Sequence, residues 1–347
     1  RGKIMRIGDK IHNLEDLIGI KDCDGLNGPD QIVTRAGLDF QVYKDDLSKH
    51  DGNLDGYFAI KRNDTDRVFN IVRNNYQVIQ TRETLDPFDE IVKDYGAKYT
   101  NAGTLWDGGK IWVQAELPGK LRFNNPEFEG DVMASYIMLM IDHTGTGCNA
   151  MFPYTNRAAC NNQFFSFTSA ARKHGLSIRH RSNWKERLEI VREAFRNAIA
   201  GNEVFMKKAE KLTTWKIAER EVRGFTNVIF PDIRKADEKR EHATSQEKKR
   251  EEVVNLFHRG LGNRGETRWD AFNAVTEYLD HHQGSKRITK SMESDKVEKR
   301  DNRKTFERRF ISNMTGGINN NLKHRAFKTL LNEKTFQRIN KPEVVFN

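Results

Sequence analysis

Thr84-Leu85-Asp86-Pro87-Phe88-Asp89-Glu90-Ile91-Val92-Lys93-Asp94-Tyr95-Gly96 sets Leu85, Phe88, Ile91, Val92 and Tyr95 on one helical face and closes on a glycine. Apolar steps of three and four residues make an amphipathic helix, and glycine is the residue best able to end one. The pattern then changes period. Ala97–Leu105 reads as a strand, and Asp107-Gly108-Gly109 reads as a turn. Ile111, Val113, Ala115 and Leu117 share one face of a second strand that Pro118-Gly119 closes. Val132–Ile141 is apolar on both faces, as a central strand is. After a turn at His143–Gly147, Asn149–Tyr154 returns as a further strand. Asn156 is placed to cap a helix from Arg157 to about Lys173. This order predicts an α+β fold, an antiparallel sheet bracketed by helices with a helix–strand–strand–strand–helix core, followed by a mainly helical, basic C-terminal region.

Upstream of the helix, Leu38–Tyr43 alternates like a strand. Phe58–Arg62 and Arg67–Val72 read as a hairpin across the turn Asn63-Asp64-Thr65-Asp66. Downstream, Trp184, Leu188, Val191, Phe195, Ile199, Phe205, Ala209 and Leu212 mark a long amphipathic helix. Residues 234–252 alternate seven basic with six acidic side chains, the mark of a solvated helix or a linker. Arg268–His281 reads as a helix with Trp269, Phe272, Val275 and Leu279 on one face. Residues 286–309 hold ten basic and five acidic residues with few apolar ones, the composition of a basic arm. Phe327–Phe336 reads as a short helix. The expected divisions are a strand-containing region at 1–75, an α+β core at 76–182, a helical region at 183–285, and the arm with a C-terminal helix at 286–347.

The net charge of the 347 residues is +10, and it is unevenly placed. Residues 1–155 carry 18 Lys and Arg against 24 Asp and Glu, a balance of −6, so residues 156–347 carry +16. A basic half of that size points to a polyanionic partner, most often nucleic acid. The bland alternative is a set of solvated helical faces. No apolar run reaches the roughly 18 residues of a membrane helix. The cysteines, Cys23, Cys148 and Cys160, are odd in number and form no C-x-x-C pair. That argues against a disulfide framework and a cysteine zinc site, and it suggests reduced thiols in a cytoplasmic setting.

The sequence contains no phosphate-loop, H-E-x-x-H, EF-hand or G-x-S-x-G motif. No cofactor, no metal and no catalytic residue is therefore assigned, and the reading leans away from an enzyme. Asp142-His143 at a strand end is read first as a turn-forming pair. His281-His282 closes a helix, where the dipole favours histidine without a metal. Asp107, Glu116, Asp131 and Asp142 fit no recognised spacing, although Asp131 and Asp142 are the carboxylates a metal-dependent nuclease would draw on.

The segment from Arg157 to Arg196 is the most informative. Arg157, Arg172, Lys173, Arg179, Arg181, Lys185 and Arg187 are the candidate nucleic-acid-binding residues, since basic groups neutralise phosphates without reading sequence. Aromatic rings such as Phe164, Phe165, Phe167 and Trp184 can stack on bases, but core packing is the preferred role for the phenylalanines. Ser177-Ile178-Arg179-His180-Arg181 alternates, so Arg179 and Arg181 share a face.

Several stretches together resemble a phage/plasmid-like protein family defined by a domain of unknown function. They are Tyr76–Glu83, Ala97–Gly103, Trp112–Leu117, Asp142-His143-Thr144-Gly145, Asn156–Asn162 and Thr267–His281, within residues 35–285. The resemblance implies residence in phage or plasmid genomes and handling of their nucleic acid. The order of elements over 84–173 is also similar to the core of Rad-type and RecT-type single-strand annealing proteins, which form rings or filaments and lay single-stranded DNA along a basic groove without nucleotide hydrolysis. This is a likeness of fold order alone. The expected function is a homo-oligomeric single-stranded DNA-binding protein that promotes annealing and recombination inside the host cell. The alternatives are a phage structural or regulatory protein acting on host proteins, and a metal-dependent nuclease.

Overall fold

The computed structural model describes residues 21–128, 131–157, 162–164, 177–181, 204–232, 239–283 and 318–339, together with 183, 186 and 190. The first part of the chain runs β1 (Lys21–Asp22), α1 (Pro29–Ala36), β2 (Val42–Asp46), β3 (Tyr57–Arg62), β4 (Val68–Arg73), α2 (Thr81–Asp94), β5 (Lys98–Leu105), β6 (Lys110–Arg122), β7 (Val132–Asp142), β8 (Asn149–Arg157), β9 (Asn162–Phe164) and β10 (Ser177–Ile178). Helices follow: α3 over 204–214, α4 (Glu219–Ile229), α5 (Lys239–Arg259), α6 (Arg268–Glu277) with a π-helical turn at Tyr278–His282, α7 (Ile318–Leu331) and α8 (Glu333–Ile339). The fold is α+β.

Seven strands form one antiparallel sheet in the order β1-β5-β6-β7-β8-β10, with β9 also paired to β8. A second sheet has the order β2-β3-β4, and its β3–β4 hairpin is the one the sequence predicts. The chain divides into two compact units, residues 1–118, 136–153 and 170–199, and residues 119–135, 154–169 and 200–347.

In the first unit, α2 buries Leu85, Phe88, Ile91 and Val92, the face read from the sequence. The helix starts three residues earlier than the apolar spacing suggested, because the Glu83 carboxylate accepts from the Gln80 backbone N–H at 2.8 Å and supplies the cap. The Gln80 side-chain amide pairs with Val42 in both directions, accepting from its N–H at 3.1 Å and donating to its carbonyl at 2.7 Å. That bond sets the start of β2 at Val42, four residues later than the alternation at Leu38 suggested. Leu38 and Phe40 are instead buried on the way in. Gly96 follows α2 at φ 59°, a left-handed turn that glycine adopts without strain. Ile111, Val113, Ile137, Leu139, Ile141 and Met151 complete this core, each fully shielded from solvent.

The second unit packs around α6. All ten residues of this helix are buried, so it is a central helix and not the one-faced helix its apolar spacing indicated. Its acid Asp270 is satisfied internally. The Asp270 carboxylate accepts from the backbone N–H groups of Arg264, Glu266 and Thr267 and from the Thr267 hydroxyl, at 2.9–3.2 Å. Phe123, Phe128, Phe205, Leu212, Phe225, Phe257, Leu330 and Phe336 join Trp269 and Phe272 in one apolar cluster. From Lys239 onward the alternating-charge segment is a helix, α5, and the C-terminal region forms two helices where one was read. Two boundaries are corrected. β6 continues through Pro118-Gly119 to Arg122, and Asn156 and Arg157 lie within a strand and not at a helix start. β8 runs to Arg157, and residues 162–164 turn back to pair with it, Arg157 lying opposite Asn162. The rest of the expected helix to Lys173, the expected helix before 204 apart from 186 and 190, and the arm 286–309 lie outside the described residues.

Candidate nucleic-acid interface and the buried polar cluster beside it

Arg157 occupies the last position of β8, and its side chain is wholly buried in the second unit. Its Nε donates to both carboxylate oxygens of Asp131, at 2.7 and 2.8 Å. Its terminal nitrogens donate to the Leu261 carbonyl at 3.3 Å, the Asn263 side-chain oxygen at 3.1 Å and the Gly262 carbonyl at 2.8 Å. Asp131 also accepts from Trp269 Nε1 at 3.0 Å. Arg157 thus ties the end of β8 to the 261–263 turn and to α6, and its charge is neutralised inside the unit. The expectation that it contacts phosphate is corrected here: a guanidinium with no exposed surface and at least five acceptor atoms among the described residues has nothing to offer a ligand.

Arg179 and Arg181 are exposed, while Ile178 and His180 between and before them are buried. The alternation read from the sequence holds in burial, although the regular strand ends at Ile178. β10 is the last strand of the seven-stranded sheet and pairs with β8 by Ser177–Ala150 and Ile178–Asn149. The two arginines therefore follow directly from a sheet edge. Arg172, Lys173, Lys185 and Arg187 lie outside the described residues, as do Phe165, Phe167 and Trp184.

His180 holds this segment against the first unit. Its ring stacks on Tyr76, with centroids 4.7 Å apart and planes 13° from parallel. Nδ1 lies 3.0 Å from the Gln77 carbonyl, which can only accept, so Nδ1 carries the proton. The His180 carbonyl in turn accepts from the Gln77 N–H at 3.1 Å. Nε2 is buried without a hydrogen-bond partner. Burial favours the neutral ring and lowers the His180 pKa, against the pull of Gln77 and Asp142.

Beside it stand Asp142 and His143, at the end of β7. The Asp142 carboxylate is fully occupied. One oxygen accepts from the Thr144 backbone N–H at 2.7 Å and the Thr144 hydroxyl at 2.5 Å, and the other takes the ammonium of Lys110 in a buried ion pair. The Asp142 N–H donates to the Asn149 side chain, which reaches on to Thr84 of α2 at 3.0 Å. This is the turn-forming role expected of the pair, with a lysine the sequence reading did not connect to it. Gly147 closes on the same carboxylate: a Cβ there would overlap Asp142 Oδ2 and sit 3.5 Å from Lys110 Nζ. His143 lies near Phe40 and Phe69, with Nε2 3.3 Å from the Thr81 hydroxyl and Nδ1 without a partner. Burial, and after it the neighbouring His180, press its pKa down to about 3, so it is neutral in the folded protein.

Among the described residues no group of three His, Cys, Asp or Glu side chains is arranged to hold a metal ion, and no helix is long and apolar enough to cross a membrane. Asp131 and Asp142, the carboxylates considered for a nuclease, each have a buried cation as partner. No curated protein and no solved structure matches the chain. A family profile matches residues 68–305, a span that contains every segment from Tyr76 to His281 on which the resemblance rests. The chain belongs to that family, which is defined by a domain of unknown function (DUF932).

Proposed function

We propose that this protein binds single-stranded DNA of phage or plasmid genomes and promotes strand annealing as a homo-oligomer in the host cytoplasm, without hydrolysing nucleotide. The observation that carries this reading is the exposed pair Arg179 and Arg181, held beyond a sheet edge by buried neighbours. It lies in the half of the chain that carries +16. Arg172, Lys173, Lys185 and Arg187 extend the same run in sequence and complete the proposed phosphate-binding set. Annealing needs no acid or base; it needs phosphates neutralised and base edges left free to pair. The order of helix and antiparallel strands supports the reading by fold analogy only.

Six cations on six phosphates give a salt slope near −4 for a single strand, so affinity falls about 300-fold between 50 and 200 mM salt. Reversing both arginines, Arg179→Glu with Arg181→Glu, weakens binding of a fluorescent oligothymidylate at least tenfold and lowers that slope. A salt-insensitive interaction, or an affinity unchanged by the double reversal, overturns the proposal. Cleavage of the oligonucleotide on adding Mg²⁺ replaces annealing by nuclease activity.

A further inference from the structure

The ladder that fixes the arginine segment is two residues long, Ser177 and Ile178 on β8. So short a pairing is marginal by itself. Beyond it, the anchors of residues 179–181 to the body of the unit, among the described residues, converge on one residue: the His180 ring on Tyr76, its Nδ1–H on the Gln77 carbonyl, and its carbonyl on the Gln77 N–H. All three keep the imidazole inside, with a bare Nε2 buried beside the end of β7. We propose that His180 is an acid-sensitive latch that positions Arg179 and Arg181, docked when its ring is neutral and released when the ring takes a second proton.

The charged surroundings decide the direction. Tyr76 and Gln77 face the ring from the connection before α2, and Asp142 and His143 act on it from the end of β7. Among the described residues Asp142 is the carboxylate that acts on His180, and Lys110 from β6 and Thr144 already occupy both of its oxygens; its backbone also favours the charged ring, but burial outweighs both. Arg62 from β3 adds a further cation acting on His143. An imidazolium at 180 therefore finds no uncommitted anion among the described residues, while water solvates it fully once the segment lifts away. The consequence runs against ordinary electrostatics. A basic surface grips phosphate more tightly as pH falls, because its histidines gain charge; this one loosens.

The binding arm rests on the proposed function, so the test has a second, independent readout. The Gln77 amide donates to the His180 carbonyl, and its hydrogen-exchange protection, corrected for the intrinsic pH dependence of exchange, reports the latch without any ligand. A free histidine is about 30-fold protonated over neutral at pH 5, which bounds the loss of protection between pH 7.5 and 5.0. The expected result is a loss of about tenfold or more in the native chain. His180→Phe, which keeps the stack on Tyr76, and His180→Gln, which keeps a donor for the Gln77 carbonyl, abolish the pH dependence. Oligothymidylate affinity at constant ionic strength falls with acid in the native chain and rises in the variants. Equal Gln77 protection at both pH values, or the same acid loss in the variants, overturns the latch. Acid-labile protection in a chain that binds no oligonucleotide at pH 7.5 sustains the latch and overturns the DNA reading.

Discussion

Truncating Arg157 to alanine removes stability from the second unit and leaves the proposed DNA surface intact. The side chains of Arg157 and Asp131 are 1% and 7% exposed, so both charges have been withdrawn from water. Their mutual attraction offsets that cost only while both are present. Without the guanidinium, Asp131 keeps Trp269 Nε1 as a donor but loses two charge-assisted bonds, and the carbonyls of Leu261 and Gly262 each lose a donor. Breaking a buried pair from one side costs about 3–5 kcal/mol, which is the expected loss in urea unfolding followed by tryptophan fluorescence and far-ultraviolet circular dichroism. Removing Asp131 as well deletes the stranded charge, so the double variant Arg157→Ala with Asp131→Ala costs about as much as Arg157→Ala alone, a coupling of roughly 2–3 kcal/mol. A change below about 1 kcal/mol in the single variant would refute the structural role. So would a tenfold weaker oligonucleotide affinity at an unchanged unfolding midpoint, which would return Arg157 to the surface set.

The buried His143 makes the first unit acid-labile. Its folded pKa of about 3 lies below the roughly 6.5 of an unfolded histidine, so the unfolded chain takes the proton first, and stability present above pH 6.5 is lost progressively toward pH 3. Between pH 7 and 5 this one group costs about 2 kcal/mol; His143→Leu should flatten that part of the urea midpoint against pH, and an equal acid loss in both proteins would show that other groups carry it. Gly147→Ala forces Asp142 away from Lys110 and should cost about 2–4 kcal/mol, whereas Gly52→Ala, with open space around it, stays within about 0.5 kcal/mol by thermal unfolding. Equal effects at the two glycines would remove the ion pair from the explanation.

Elements set by local chemistry were legible in the sequence. The face of α2, the β3–β4 hairpin and the apolar run of β7 each follow from side-chain period and turn residues over a few positions. What the sequence hid was pairing at a distance. Asn156 and Arg157 have the local look of a cap and a first helical turn, yet β8 claims them because Asp131, 26 residues earlier, and the 261–263 turn, about 105 residues later, close around the guanidinium. The same holds for α6, whose Asp270 marks an exposed face by period but finds backbone donors inside the unit. For the candidate interface, the alternation of 178–181 put Arg179 and Arg181 on one face, and that face is the exposed one. It did not predict that His180 reaches Tyr76 and Gln77, about a hundred residues away in the chain. Lys110 gave no signal, since a lone lysine at the start of a strand ordinarily faces solvent.

Gly147 turns the buried ion pair into a constraint on inheritance. The residue has no side chain because the Asp142 carboxylate, held by the Lys110 ammonium, already fills the space a methyl group would take. A lineage that shortens the acid or loses the lysine frees position 147 to acquire bulk, and once it does, restoring the pair requires two or three changes at once. Positions 110, 142 and 147 are thus expected to drift together across the family, with the glycine recording, long after, which ancestors kept the charge.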